Sequence, residues 1–597
     1  MDCRLDRDCF ALMTKGNWQK TNIVPDAGFS GGFSHLITRR SRYFRVLLWL
    51  PAFSFLVLFF FYPLGRILSL SLDISALSQA QALSVTTRAL TFTFYQAVLS
   101  TFLTLVLGLP AAFLFARFKF SGKVFLRTLT AIPFMLPTVV VAAGFNAWLG
   151  PRGWLNILLM TIFGLSSPPI TLVGTLAAIL AAHVFYNTTI VIRVVSNALS
   201  LLDPRLEQAA RTLGANGWQV FWHVILPLLR PYLLAASLLV FLFDFTSFGV
   251  ILLLGGPQFA TLEVEIYLQA MHYFNLPLAA WLSLIQLLCT LIFSTLYSHL
   301  ISGTLTVTAP RQVAMMPPCS LRARLFTIVM AGLLFAFYFL PLISLPLRSL
   351  TRLEAERGQR GEVQYGLTTN YYTELFLNRR GSAFYIPPVQ ALGNSLGYAA
   401  LTVILSLTLG LPTALALTRP GKIEQVLDPL LMLPLGASAV TLGLGFVLAF
   451  NTPLFNYSLL TSPILVPLAH TIIALPFVVR TLQPALASIP VSLRQAAATL
   501  GASPVRAWRE VDWPIIRRAT LAAGVFAFTI SMGEFGAATL VARPEYPTLP
   551  LAIYRFLSQP GGLNYGQAMA MSTILMLVTG MGILIIEKLR LPGTTEF

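Results

Sequence analysis

Residues Asp203–Arg230 read DPRLEQAARTLGANGWQVFWHVILPLLR, a polar, helix-patterned stretch inside an otherwise apolar chain. Pro490–Arg517 read PVSLRQAAATLGASPVRAWREVDWPIIR, 287 positions later. Gln208, Ala209, Ala210, Thr212, Leu213, Gly214, Ala215 and Pro227 return as Gln495, Ala496, Ala497, Thr499, Leu500, Gly501, Ala502 and Pro514. In each copy the apolar residues fall at helical spacing (Leu206, Ala209, Ala210, Leu213; Leu493, Ala496, Ala497, Leu500), so one face of a short helix is apolar and small. Asp203 followed by Pro204 is a cap and first-turn pair, and Gly214 and Gly501 stand where a left-handed C-cap closes a helix. A second short helix is expected after each glycine, ending before Pro227 and Pro514. Such a segment between two apolar spans has the form of an element that fits a groove on a partner.

The rest of the chain supplies the spans. Its 597 residues are 56% apolar and 10% charged, with a mean hydropathy of +0.76, which excludes a soluble protein of this length. A net charge of +18 would suggest nucleic acid in a soluble chain; here Lys and Arg concentrate in short loops and mark topology, so no nucleic-acid partner is expected. Four cysteines, Cys3, Cys9, Cys289 and Cys319, are too few and too scattered for a disulfide framework. The expected fold is all-α: a polytopic membrane protein of about 12 transmembrane helices, each near the ~20 residues a bilayer core requires.

Residues 1–41 lack the apolar core and cleavage site of a signal peptide and read as a cytoplasmic tail. Six spans follow in 42–302, at about 46–68, 92–115, 124–149, 171–195, 231–254 and 277–301, with the polar stretch 203–230 between the fourth and fifth. A linker at 303–324, carrying Arg311, Arg322 and Arg324, precedes a second set of six in 325–597, at about 325–347, 391–417, 427–450, 463–482, 519–541 and 567–588, with its own polar stretch at 490–517. Arg39, Arg40, Arg42 and Arg45 before the first span, and Lys588 and Arg590 at the end of the last, place both termini in the cytoplasm. Pro133 and Pro137 predict a kink in the third span. The long stretch 348–388 reads as an outward-facing spacer. Trp49, Tyr62, Trp148, Trp154 and Tyr232, near span ends, read as interfacial anchors.

The repeat extends beyond the polar stretches. LGLP at Leu107–Pro110 returns at Leu409–Pro412, and His183, Arg193, Phe248, Gly249 and Thr261 return 287 residues on as His470, Arg480, Phe535, Gly536 and Thr548. The chain is therefore a tandem duplication of a six-span unit, parallel in topology, with a pathway expected between the halves. Ionisable groups inside spans are costly and point to that pathway. Asp244 lies ~20 Å along its helix from Pro231, and Glu534 ~22 Å from Ala519. The register pairs Asp244 with Ser531 and Ser247 with Glu534, so these four residues are the candidate pathway residues. Two carboxylates there would favour a cation. The alternative is that each carboxylate caps or pairs locally; His183 and His470 read as structural histidines.

The two polar stretches resemble the EAA loop of the inner-membrane permease subunits of bacterial ATP-binding-cassette importers, whose pattern is EAA, three residues, Gly, and later an Ile or Leu before Pro. In that family the loop is the coupling helix that docks on the ATP-hydrolysing subunit. The resemblance makes Glu207, Gln208, Ala209, Ala210, Leu213, Gly214, Gln495, Ala496, Ala497, Leu500 and Gly501 the coupling residues. This chain departs from the pattern in carrying Gln208 and Gln495 at the Glu position, although Glu207 precedes the first. Two halves fused in one chain, with DFTSFG at 244–249 and GEFGAATL at 533–540, are similar to the ferric iron and thiamine permeases of the family.

The resemblance implies two ATP-hydrolysing subunits on the cytoplasmic face, an extracytoplasmic substrate-binding protein, a multi-pass place in the bacterial inner membrane, and iron or thiamine as cargo. No G-x-x-x-x-G-K-[ST] occurs, so the chain is expected to bind no ATP of its own, and ATP is used by the partner subunits. No metal-binding or nucleophile motif occurs either, so neither a metal nor a catalytic residue is assigned and an enzyme is the least favoured class. The competing reading is a secondary transporter driven by an ion gradient through Asp244 and Glu534.

Overall fold

The computed structural model describes residues 46–72, 80–256, 258–302, 317–352, 366–378, 387–418, 421–451 and 458–589. The tail at 1–41, most of the linker, the middle of the 348–388 stretch, and Arg590 lie outside them. Among the described residues there is no strand, only an isolated bridge between Thr351 and Leu367.

Ten helices are long and apolar enough to cross a membrane, and two bent pairs bring the number to 12. In the first half these are Val46–Ser71 (α1), Ala80–Arg117 (α2), the pair Lys123–Met135 (α3) and Thr138–Leu149 (α4), then, beyond the short helix Trp154–Phe163 (α5), Leu176–Leu201 (α6). The polar stretch begins with Pro204–Thr212 (α7) and leads into Gly217–Phe245 (α8), Gly249–Leu254 (α9), Leu262–Met271 (α10) and Leu276–Ser302 (α11). The second half repeats the series. Leu321–Ser349 (α12), Pro388–Leu417 (α13), Lys422–Gly436 (α14) and Ala439–Ala449 (α15) are followed by Leu465–Ala487 (α16), Val491–Thr499 (α17), Pro504–Gly533 (α18), Gly536–Val541 (α19), Leu549–Leu557 (α20) and Gly562–Leu589 (α21). Among the described residues α5 has no equivalent of its length, and the second half adds the short helix Asn370–Thr373; Asn156 of α5 is buried and ties it to the backbone of Gly150 and Ile170.

The motifs that repeat in sequence have packing reasons. Gly108 and Gly410 of the two LGLP motifs leave no room for a side chain: a Cβ at Gly108 would stand 2.7 Å from Val191 of α6, and one at Gly410 would stand 2.8 Å from Val478 of α16. Val191 and Val478 are themselves 287 apart, so the same close helix crossing is built twice. The first helix of each half packs on the other half. Tyr62–Ser71 of α1 lies against α11 and α15, where a Cβ at Gly445 would meet Pro63 at 3.0 Å; α12 lies against α4 and α21, where a Cβ at Gly144 would meet the Pro341 carbonyl at 3.0 Å. The described residues from Trp49 onward form a single packed unit.

Three sequence expectations are corrected. The helix starting at Gly217 does not end before Pro227. It continues to Phe245, because a π-helical turn at Phe221–Ile225 precedes the proline and absorbs the bond Pro227 cannot make; Trp508–Asp512 does the same before Pro514. The fifth and eleventh spans are not continuous to Leu254 and Val541: they break after Phe245 and Gly533, and α9 and α19 start anew. Beyond each break α10 and α20 are largely buried. Trp49 is buried and is not an interfacial anchor. The expected kink in the third span is present, larger than a kink: Lys123–Met135 and the helical segment from Thr138 meet at 114°, and α14 meets α15 at 99°.

Candidate functional site

The polar stretches form two matching surface elements. In the first, the Asp203 side chain accepts from the Arg205 N–H at 2.9 Å, capping α7 with Pro204 in its first turn. The end is closed by a Schellman arrangement: the Ala215 N–H reaches the Ala210 carbonyl at 3.1 Å, the Gly214 N–H reaches Arg211 at 3.0 Å, and Gly214 has φ +87°. The second copy repeats this, with Ala502 to Ala497 at 3.0 Å, Gly501 to Ala498 at 3.0 Å and φ +78°. Neither α7 nor α17 buries a single residue. Leu213 and Leu500 are 89% and 87% exposed at the two helix ends, at equivalent positions of the two copies. Gln208, Ala209, Gln495 and Ala496 are exposed, and Ala210 and Ala497 half-buried against the bundle.

Each element is fastened by an ion pair, and the two differ. Glu207 pairs with Arg117 at the end of α2. Its counterpart in the second copy is Arg494, whose Nε donates to Asp512 Oδ1 at 2.8 Å. The same position holds opposite charges, so what repeats is the fastening and not the residue.

The four candidate pathway residues lie at the breaks in α8 and α18. In the first half Asp244 is in the last turn of α8, and His183 of α6 contacts both it and Ser247: Nδ1 stands 3.4 Å from Asp244 Oδ1, and Nε2 is 2.8 Å from Ser247 Oγ. In the second half His470 of α16 stands with Nδ1 2.7 Å from Ser531 Oγ and Nε2 3.2 Å from Glu534 Oε2. Each half thus holds one histidine, one serine and one carboxylate, with serine and carboxylate exchanged between the two positions. Both histidines are buried and hydrogen-bonded to serine, as structural histidines would be.

The carboxylates do different local work. Glu534 follows the last residue of α18 and caps the next helix, accepting from the N–H groups of Ala537 and Ala538 at 2.8 and 3.0 Å. Asp244 Oδ1 accepts from Asn187 Nδ2 at 2.7 Å, and the Asp244 carbonyl accepts from Gln96 at 2.8 Å. Its Oδ2 has the Ser100 hydroxyl for a neighbour but no hydrogen bond of standard geometry.

Between the breaks, Phe248 and Phe535 stack across the junction of the halves, ring centroids 5.4 Å apart and planes at 25°. The glycines after them are close-packed: a Cβ at Gly249 would collide with the Thr138 hydroxyl and meet Phe535 at 3.2 Å, and one at Gly536 would meet Ala439 at 3.0 Å. Beside this stack lies a cavity of 340 Å³ lined by His183, Asp244, Ser247 and Glu534, by aromatic rings, and by Glu263. Ser531 makes no part of its wall; it donates towards Thr402 and supports His470.

Glu263 is a site residue that the sequence does not single out. It is buried on α10, bonded to Gln286 of α11, and its Oε2 accepts from Ser438 at 2.9 Å. Ser438 caps α15, so a first-half carboxylate holds the start of a second-half helix. Its only sequence signal is a pair of glutamates, Glu263 and Glu265, inside the apolar run LEVEIYLQAM.

Residues 105–305 match the family described as binding-protein-dependent transport system inner membrane component. The chain is a fused two-half importer permease. Over 500 residues it is 28% identical to the thiamine transport system permease protein of Haemophilus influenzae, covering 82% of this chain and 86% of that protein. It is 27% identical over 507 residues to the thiamine transport system permease protein of Escherichia coli K12, covering 84% and 88%. A probable ABC transporter permease protein of Sinorhizobium fredii, y4fN, is 25% identical over 515 residues, covering 85% and 88%. The permease therefore belongs in the inner membrane, works with ATPase and substrate-binding partners, and falls in a transport family and not an enzyme class.

Proposed function

We propose that this permease forms the pathway for thiamine across the inner membrane, driven by two separate ATP-hydrolysing subunits that dock on α7 and α17. The observation that carries the coupling role is the pair of helices that bury none of their own residues, each closed by a left-handed glycine and each ending on an almost fully exposed leucine. In this reading Glu207, Gln208, Ala209, Ala210, Leu213 and Gly214 contact one ATPase, and Gln495, Ala496, Ala497, Leu500 and Gly501 the other. An external binding protein delivers cargo at the opposite end, ATP is bound by the partners alone, both termini are cytoplasmic, and the chain itself catalyses no reaction. Residues 42–302 and 325–597 act as the two moving halves, and Asp244, Ser247, Ser531 and Glu534 border the route, Ser531 through His470. ATP-driven approach of the two docked subunits would shift α7 and α17 and separate the halves at the Phe248–Phe535 stack.

The thiamine assignment draws on the named function of the relatives and on the cavity. Thiamine carries a permanently charged ring, and a wall of carboxylates and aromatic faces suits such a cation. Iron is less well served: among the described residues no group of three His, Cys, Asp or Glu side chains is placed to hold a metal ion. An ion-gradient transporter would leave the two exposed helices without a role. The test is purification of the tagged chain from its native membrane. Recovery of an ATP-hydrolysing dimer whose turnover rises with a thiamine-loaded binding protein is expected; a chain that purifies alone and transports without ATP would refute the reading.

A further inference from the structure

We propose that the first half alone carries a binding site for a ring-bearing organic cation, and that the second half closes this site without duplicating it. The inference rests on the reading of the cavity as part of the pathway and adds which wall holds the cargo. Because the chain is a duplication, every residue of the cavity has a counterpart that shows what the scaffold needs for folding alone.

The cavity side of the first half carries Phe134, Tyr186, Asn187, Phe243, Asp244 and Glu263. Their counterparts are Leu435, Ile473, Ala474, Ile530, Ser531 and Pro550, aligned by the shift of 287 residues, or 301 in the α3–α4 region where Pro133 matches Pro434. Three aromatic rings become aliphatic, the carboxylates at 244 and 263 disappear while one returns at the Ser247 position as Glu534, and the amide that donates to Asp244 becomes a methyl. The second half nevertheless keeps the same break in its helix and the same histidine–serine contact. The Asp244–Asn187 pair is therefore not what the break requires; within the first-half set Glu263 also holds the Ser438 cap and Tyr186 the Leu136 carbonyl, whereas Asp244, Asn187, Phe134 and Phe243 have no such part in the break.

The chemistry of the set points to a cation with a flat ring. Asp244 is 1% exposed and lines the cavity, its Oδ1 held by Asn187 and 3.4 Å from His183 Nδ1 and its Oδ2 beside the Ser100 hydroxyl, so an acidic group is fixed in the cavity wall. Phe134 and Phe243 meet edge to face at 5.8 Å and leave 38% and 41% of their surfaces uncovered, offering faces for a cation to rest on. Glu263 is a second acidic group in the lining, held by Gln286 and Ser438, and the lining contains no Lys or Arg. A cavity of 340 Å³ is at the lower end of the ~300–1,000 Å³ typical of small-molecule sites.

The experiment uses the full chain with its ATPase subunits in lipid nanodiscs and measures equilibrium binding of thiamine, of N-methylpyridinium as a minimal ring cation, and of nicotinamide as a neutral ring. The first-half variants take the residues the second half already carries, Asp244→Ser and the pair Tyr186→Ile with Asn187→Ala. The second-half controls are Ile473→Ala and Ile530→Ala. Saturable binding of both cations, weakened at least ~10-fold by either first-half variant and less than ~2-fold by the controls, is expected, since Asp244→Ser removes the acidic group and Tyr186→Ile with Asn187→Ala removes a ring and the amide that orients Asp244. N-methylpyridinium binding with this pattern but no thiamine binding would uphold the site and remove thiamine as cargo. Cations binding no better than nicotinamide, or controls weakening binding as much as the first-half variants, would overturn the proposal. Should Asp244→Ser fail to assemble, the Tyr186→Ile, Asn187→Ala variant decides, because it removes no charge.

Discussion

Phe248 and Phe535, 287 residues apart in sequence, stack on each other where the two halves meet. Each is the residue before the glycine that starts the next helix, so the contact joins the two helix breaks directly. If the stack is the closed position of the pathway, shortening one ring opens it. Phe535→Ala is expected to let thiamine leak into proteoliposomes without ATP and to lower stability by about 3 kcal/mol, the cost of a large-to-small core change. Phe535→Leu, which keeps bulk, should stay tight. Equal impermeability of the alanine variant would place the closure elsewhere.

Gly214 and Gly501 have φ of +87° and +78°, in the left-handed region, where a β-branched residue costs roughly 1–3 kcal/mol. Gly214→Val and Gly501→Val are expected to misshape the ends of α7 and α17 and cut ATP-driven uptake by ~10-fold or more while leaving the amount of permease in the membrane near normal. Asn tolerates the left-handed region, so Gly214→Asn should retain most uptake. Normal uptake by both valine variants would contradict docking at these helices.

Glu534 caps α19 through two backbone N–H groups, whereas Asp244 has an oxygen with no partner of standard geometry. Neutralising them should therefore have different results. Glu534→Gln keeps an acceptor and is expected to hold uptake within about two-fold; Glu534→Ala should lose about 1 kcal/mol of thermal stability, as lost caps do. Asp244→Asn should leave melting nearly unchanged and depress thiamine uptake. Parallel losses in Glu534→Gln and Asp244→Asn would make the two carboxylates equivalent pathway groups, contrary to their geometry.

The LGLP motifs lead to a stability test. A Cβ at Gly108 would stand 2.7 Å from Val191, so Gly108→Ala is expected to cost about 1–3 kcal/mol by overpacking. Val191→Ala in the same chain should recover much of this, and the same rescue should appear for Gly410→Ala with Val478→Ala. Thermal unfolding of the purified variants in detergent measures both, and additive losses would exclude the helix crossing as the reason for the motif.

Much of this was legible in the residues. The constant shift from Asp203 onward, the LGLP repeat and the hydropathy give twelve spans in two sets, and the left-handed glycines at 214 and 501 follow from helix-end chemistry alone. The helix breaks were not legible, because Phe245–Gly249 and Gly533–Gly536 lie in runs apolar enough to read as continuous span. Hydropathy measures solvation and is silent about where backbone bonds stop. The π-helical turns were hidden for a related reason: Pro227 and Pro514 read as stops, whereas a widened turn lets the helix pass them. Glu263 was missed because its partners, Gln286 and Ser438, are 23 and 175 residues away. Asp244 and Glu534 were found by their cost in a membrane, but their different partners depend on which groups the fold brings to them.

Uptake of labelled thiamine into proteoliposomes holding the permease, its ATPase subunits and its binding protein tests the central claim most directly. Accumulation that needs ATP and the binding protein, and that persists when proton and sodium gradients are dissipated, is the expected result. Accumulation that continues without ATP and collapses with either gradient would contradict it, and would return Asp244 and Glu534 to the role of ion sites.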